Sequence, residues 1–183
     1  MIGQTAVEAR TTWRIDPAHT EVGFSAKHLM ITTVRGRFGE VSGTIELDES
    51  DLANSGVEVK VGAASVDTGT PDRDTHLRSA DFLDVEAHPW LTFRSRRVEP
   101  DREGKFRVVG DLTIRGVTRE VTLGVSDEGR VIDPWGGTRA SFSATTAIDR
   151  RDWNLTWNAV LETGGVLVGN EVKIALEVQA VLS

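Results

Sequence analysis

Lys105-Phe106-Arg107-Val108-Val109-Gly110-Asp111-Leu112-Thr113-Ile114-Arg115-Gly116-Val117-Thr118-Arg119-Glu120-Val121-Thr122-Leu123-Gly124-Val125-Ser126 is the stretch that decides the fold. Phe106, Val108, Gly110, Leu112 and Ile114 fall on one side, with Lys105, Arg107, Asp111 and Thr113 on the other. A period of two is that of a half-buried strand, because successive side chains leave opposite faces of the pleat. After Arg115-Gly116, Val117, Val121, Leu123 and Val125 face away from Thr118, Glu120, Thr122 and Ser126. Two alternating runs around a two-residue turn predict an antiparallel hairpin.

The same alternation recurs on both sides of that hairpin. Upstream, the dry positions are Val22, Phe24, Ala26 and His28, then Val41, Gly43, Ile45 and Leu47, then Val57, Val59, Val61 and Ala63, then Leu91, Phe93 and Ser95. Downstream, Ala140 to Ile148 alternates with Phe142 inward, and Val172, Ile174, Leu176 and Val178 close the series. About eight strands, each dry on one face, must close or stack to hide that face. The expected fold class is therefore all-β: an antiparallel eight-stranded barrel with one or two short helices. Closure removes the exposed edges that invite aggregation. A sandwich is the other solution, since alternation alone does not separate the two.

Two segments break the pattern. Residues 72–88 are polar and poor in β-formers; Asp72–Arg78 reads as a short helix with a charged first turn. Asp149–Asn170 carries Trp153, Trp157 and Val160, which share one face if the segment is helical and lies on the barrel. Residues 1–11 read as a flexible tail, which leaves 12–183 as the folded domain.

Composition narrows the function. A chain of 183 residues fits one domain. It has no cysteine, so disulfides, thiolate metal sites and a Cys nucleophile are excluded. Lys and Arg number 21 against 28 Asp and Glu, a net charge of −7 that argues against nucleic acid as a partner. Arg94-Ser95-Arg96-Arg97 and Arg150-Arg151 read as solvated faces. No apolar run is long enough to span a membrane as a helix. The first residues lack a basic segment followed by an apolar one, so the expected location is cytoplasmic, or periplasmic or secreted if a leader was removed.

No cofactor and no metal are expected. The four histidines, His19, His28, His76 and His88, show no ligand spacing. Arg73-Asp74-Thr75-His76 is the most catalytic-looking cluster, because a carboxylate beside a histidine can orient a general base. No nucleophile motif accompanies it, and the reading favoured over catalysis is a loop pinned by Asp–Arg and His–backbone hydrogen bonds. Phe24, Phe93 and Phe142 fall on dry faces, where a barrel of this size holds either packed side chains or one small ligand. Pattern alone favours the packed interior.

Longer stretches are more specific. Trp13-Arg14-Ile15-Asp16-Pro17-Ala18-His19-Thr20-Glu21-Val22-Gly23-Phe24-Ser25-Ala26-Lys27-His28 resembles the opening of the YceI-like, polyisoprenoid-binding family. In the same order follow Val66-Asp67-Thr68-Gly69, Arg73-Asp74 with His76-Leu77-Arg78-Ser79, Asp81-Phe82-Leu83-Asp84, and His88-Pro89 with Leu91-Thr92-Phe93-Arg94-Ser95. Gly110 to Thr118, Ile148-Asp149-Arg150 with Asp152-Trp153, and Gly169-Asn170-Glu171-Val172 complete the likeness, over about residues 12–182.

The resemblance implies an elongated lipocalin-like barrel, not an enzyme, with a tunnel for a long apolar amphiphile, a polyisoprenoid or an isoprenoid quinone, to be transported, stored or protected. On that basis Phe24, Phe38, Phe93, Phe142, Trp135 and Trp153 are expected to line the cavity, and His28, Arg73 and His76 to stand at its mouth. Partners are then a lipid-like small molecule and a possible homodimer mate. Two other functions stay open at this stage: an enzyme using the Asp74/His76 pair on a lipid-like substrate, and a filled barrel acting as an interaction module.

Overall fold

The hairpin that organises the chain is built from β8 (Lys105–Ile114) and β9 (Val117–Ile132), which pair in register from Lys105↔Ser126 to Ile114↔Val117. Its turn carries φ of 49° at Arg115 and 73° at Gly116. Positive φ at both central residues gives the turn whose twist matches the flanking strands. The structure is a computed structural model that describes residues 10–183.

The other strands are β1 (Arg10–Ile15), β2 (Glu21–His28), β3 (Thr32–Phe38), β4 (Val41–Asp48), β5 (Gly56–Gly62), β6 (Val66–Asp67), β7 (Trp90–Arg102), β10 (Thr138–Asp149) and β11 (Val168–Leu182). The single α-helix among the described residues, α1, is Pro71–Arg78. Hydrogen bonding runs β1-β4-β5-β7-β8-β9-β10-β11 and returns from β11 to β1, a closed antiparallel barrel of eight strands. The return pairing decides for barrel over sandwich: Trp13, Arg14 and Ile15 face Leu182, Val181 and Ala180.

Three strands are broken and continue the wall in a second segment. Pro17 starts the 3-10 turn between β1 and β2, and the Asp16 carboxylate accepts the Ala18 N–H at 3.0 Å to cap it. β3 and β4 meet at Gly39-Glu40, and β5 and β6 at the turn Ala63–Ser65. At this end β6 pairs with β3 but not with β7. The slot so left is occupied by α1 and the turns that follow it, tied by Arg115 Nη1 to the Phe82 carbonyl at 3.0 Å.

Two boundaries differ from the sequence expectation. β1 begins at Arg10, with Arg10 and Thr11 paired to Asp48 and Leu47, so the expected tail 1–11 loses its last two residues to the barrel. The rest of that tail, residues 1–9, lies outside the described residues. Asp149–Asn170 is not an α-helix. A 3-10 turn, Arg150–Trp153, stops at Asn154, whose φ is 59°, and an irregular loop follows with one bridge, Val160↔Val166. In a helix backbone N–H groups would donate to these carbonyls; here four of them accept from a single guanidinium described below. Asp72–Arg78 is helical as expected, one residue longer at its start.

On β7 the alternation shifts at a bulge between Ser95 and Arg97, which places Arg96 and Arg97 both outside and returns Val98 to the interior. These arginines are solvated and ion-paired, with Arg94 on Glu58, Arg96 on Asp111 and Arg97 on Glu99. Opposite the bulge, Gly110 lets β8 approach β7. A methyl there would lie 2.5 Å from the Arg94 carbonyl and 2.6 Å from the Phe93 ring. Gly110→Ala is therefore expected to destabilise the fold by about 1–3 kcal/mol through overpacking against backbone. A lower urea midpoint at unchanged slope checks this.

Candidate functional site

The dry faces of the strands do not meet across the barrel. They enclose a cavity of about 320 Å³, at the lower end of the range for small-molecule sites. It extends from Leu47, Leu52 and Val57 at one end of the barrel to Leu77, Phe82 and Val168 at the other, and its wall exposes only apolar atoms. The expectation of a packed interior is thus overturned. Strand-borne branched residues (Val59, Val108, Val121, Val125, Ile174) supply much of the wall, because each strand can turn only alternate side chains inward.

Of the residues expected on the wall, Phe24, Phe38, Phe93 and Phe142 are there. Phe24 and Phe38 lie 5.5 Å apart by ring centroid, and Phe142 stands edge-on to Phe106 at 6.4 Å. The Phe24 ring lies across Gly36, in space that a Cβ would claim. Trp135 and Trp153 do not line the cavity. Trp135 is 86% exposed, in the β9–β10 turn, where Asp133 accepts the N–H groups of Trp135 and Gly137. Trp153 is buried in the hydrophobic core and donates its indole N–H to the Leu112 carbonyl at 2.9 Å. Hydrophobicity placed both on the cavity wall; one belongs to an exposed turn, the other to the packed core away from the cavity surface.

None of the three residues expected at the mouth lines the cavity. His28 is half-buried at the last position of β2. Arg73 donates Nε to Thr68 Oγ1 at 2.7 Å and Nη2 to the Thr68 carbonyl and Thr70 Oγ1 at 3.0 and 3.1 Å. The Asp74/His76 pair does not form. Asp74 is buried and accepts from the Thr68 N–H and hydroxyl, whereas His76 Nε2 meets Asp81 Oδ2 at 2.9 Å. Positions two apart on a helix leave in different directions. The cluster is a clasp that fastens α1 through Thr68 to the end of β6, and the carboxylate beside His76 is that of Asp81.

That clasp carries a small aromatic stack. His76 stands edge-on to Trp157 at 4.5 Å and to Phe82 at 5.1 Å, and Phe82 and Trp157 lie 5.4 Å apart. Leu77, Phe82 and Leu83 form the cavity wall beneath it. The α1 segment thus closes the slot between β6 and β7 with its own apolar side chains.

Arg150, expected on a solvated face, is 4% exposed. Its Nε donates to the Gly169 carbonyl at 2.9 Å, Nη1 to the carbonyls of Leu155 and Trp157, and Nη2 to that of Val168 at 3.3 Å. Burial lowers its pKa from the ordinary arginine value, while the neighbouring Asp149 charge opposes that shift. Asp149 caps the 3-10 turn through the Arg151 N–H and pairs with the Arg151 guanidinium at 2.6 Å. These bonds hold its carboxyl at about 2. One side chain thereby gathers both halves of the β10–β11 loop beside the cavity. In the sequence, two adjacent arginines gave no sign that one would be buried.

Comparison with known proteins places this architecture. The model of the YceI-like domain matches residues 13–180. A UPF0312 protein of Vibrio parahaemolyticus is 39% identical over 138 residues, 75% of this chain and 73% of that protein. One from Ectopseudomonas mendocina is 38% identical over 156 residues, 85% and 82% of the two chains. Among solved structures, the YCEI protein of Campylobacter jejuni superposes with a TM-score of 0.73 at 30% identity, covering 91% of this chain and 95% of that one. A polyisoprenoid binding domain from Saccharophagus degradans shares the fold, with a TM-score of 0.66 at 14% identity over 94% and 99% of the chains. With the family model covering nearly the whole barrel, the chain belongs to the YceI-like family.

Proposed function

We propose that this protein is a non-catalytic carrier that holds a long apolar amphiphile, of the polyisoprenoid or isoprenoid-quinone class, inside its barrel. The observation that carries this reading is the cavity whose wall exposes only apolar atoms along its length. Such a cavity rewards hydrocarbon, at about 0.8 kcal/mol for each buried methylene, and penalises any polar group placed inside it. Selection then rests on length and cross-section, and a polar end must remain outside. The Saccharophagus degradans polyisoprenoid binding domain, which has the same fold, supports the class of ligand.

The test is native mass spectrometry of gently purified protein, then organic extraction and titration with an isoprenoid alcohol and an isoprenoid quinone. A stoichiometric apolar adduct, and a melting temperature that rises with ligand concentration as binding to the native state requires, is the expected result. A protein that stays unliganded and keeps its melting temperature in saturating isoprenoid overturns the reading.

A further inference from the structure

We infer that the β2–β3 tip, together with the neighbouring β10–β11 loop, is a membrane-docking surface that inserts apolar side chains into the face of a lipid bilayer. The tip is Leu29-Met30-Ile31, and its side chains are exposed by 36%, 58% and 76%. Leu29 and Met30 have φ of 53° and 61°, and the Ile31 N–H closes the turn on the His28 carbonyl at 3.2 Å. Asn and Gly adopt that turn freely, whereas branched or long apolar residues are strained in it. The tip therefore accepts strain and exposure together, and burial in a partner relieves the second.

The Leu29 N–H bonds the Leu167 carbonyl at 2.9 Å, which joins the tip to the loop where Val160 is 84% exposed. Two convex, adjacent tips with separate apolar side chains suit insertion between lipid chains better than they suit a flat protein face. Behind them stands a cationic group on the outer face of the wall. Lys27 is opposite Thr33, and Arg35 and Lys173 both flank Ser25 across the ladder. Among the described residues these three cations stand in no ion pair, whereas Asp149 at this end is taken up by Arg151, and Asp152, Glu162 and Glu171 are its other carboxylates. The attraction to anionic headgroups rests on the clustering of Lys27, Arg35 and Lys173 on one outer face. Ala26 and Val168, the strand residues next inward, line the cavity.

The opposite end of the barrel also exposes apolar residues, Val131, Ile132 and Trp135. Its setting is acidic. Asp127, Glu128 and Asp133 stand there, and the cations Arg130 and Arg139 are taken up in pairs with Asp127 and Asp133. An anionic bilayer repels that end, so the docking surface is assigned to the β2–β3 end.

The experiment is flotation of the full chain with phosphatidylcholine vesicles and with phosphatidylcholine–phosphatidylglycerol vesicles. Wild type, Ile31→Asp, Val160→Asp and Trp135→Ala are compared, with thermal unfolding as the folding control. Wild type is expected to float with the mixed vesicles and less with phosphatidylcholine alone. Each aspartate variant should melt like wild type and lose vesicle partitioning about tenfold, the equivalent of one apolar side chain no longer buried. Trp135→Ala should float like wild type. No flotation of wild type, flotation unchanged by the aspartates, or loss through Trp135→Ala overturns the inference. So does a wild-type dimer that ignores vesicles and is split by Ile31→Asp, which would make the tip a self-interface. The proposal goes beyond the carrier reading, and isoprenoid binding in vesicle-free buffer is read separately, so each can fail alone.

Discussion

Arg150→Met is expected to cost about 3–5 kcal/mol of stability, the range for removing one partner of a buried charged interaction. Methionine fills the space of the side-chain stem but donates nothing. The carbonyls of Leu155, Trp157, Val168 and Gly169, which now converge on one guanidinium, lose that shared donor while still held near the wall. Released desolvation of the cation returns part of the loss, which keeps the figure below the sum of four charged hydrogen bonds. For a chain of this size, about 4 kcal/mol corresponds to a melting temperature lower by about 8–16 °C. Arg150→Lys should fall between the two proteins, since an ammonium keeps the charge but cannot span four carbonyls in a plane. A melting temperature within about 3 °C of wild type for Arg150→Met would show that Trp153 and the strand ends hold the loop unaided.

The second large effect concerns the cavity. Ala144 sits in β10 between Val125 and Leu176, and its methyl faces the interior. Ala144→Trp is expected to fill the space in front of it and exclude about three methylenes of ligand. At about 0.8 kcal/mol each, that is about 2.4 kcal/mol, or roughly fiftyfold in affinity. Stability should hold or rise, because filling an apolar void restores contacts that its lining lacks. Ala144→Leu should give a smaller loss in the same direction. Titration of each variant with an isoprenoid alcohol, beside its melting temperature, separates occupation of the cavity from unfolding. Undiminished affinity in a well-folded Ala144→Trp protein would place the ligand outside the barrel.

The two effects come from residues that differ in how openly their sequence announces them. Ala144 was legible: it lies on the Ala140–Ile148 run, and alternation alone turns it inward with Phe142. The same reasoning placed Phe24 and Phe93 on the inner face, because a strand's side-chain direction is a local property of the pleat. Trp135 and Trp153 lie outside regular strands, where no period fixes direction, so their hydrophobicity was uninformative about the cavity. Arg150 was misread for a related reason. Its partners are backbone carbonyls, which every residue carries and no sequence pattern marks.

Even the Arg73-Asp74-Thr75-His76 run, conspicuous in the sequence, did not disclose its pairing. Thr68 and Asp81 reach it through turns, from outside the run.

By itself the sequence determined the all-β class, the inward set of side chains, the β8–β9 hairpin and the position of α1. These depend on period and turn chemistry within a few residues. Only the tertiary structure decided that β11 returns to β1, that the inner faces stand apart around a cavity, and that a lone arginine gathers the β10–β11 loop. Each of those depends on distances between segments far apart in the chain, set by how eight tilted strands share one closed circumference.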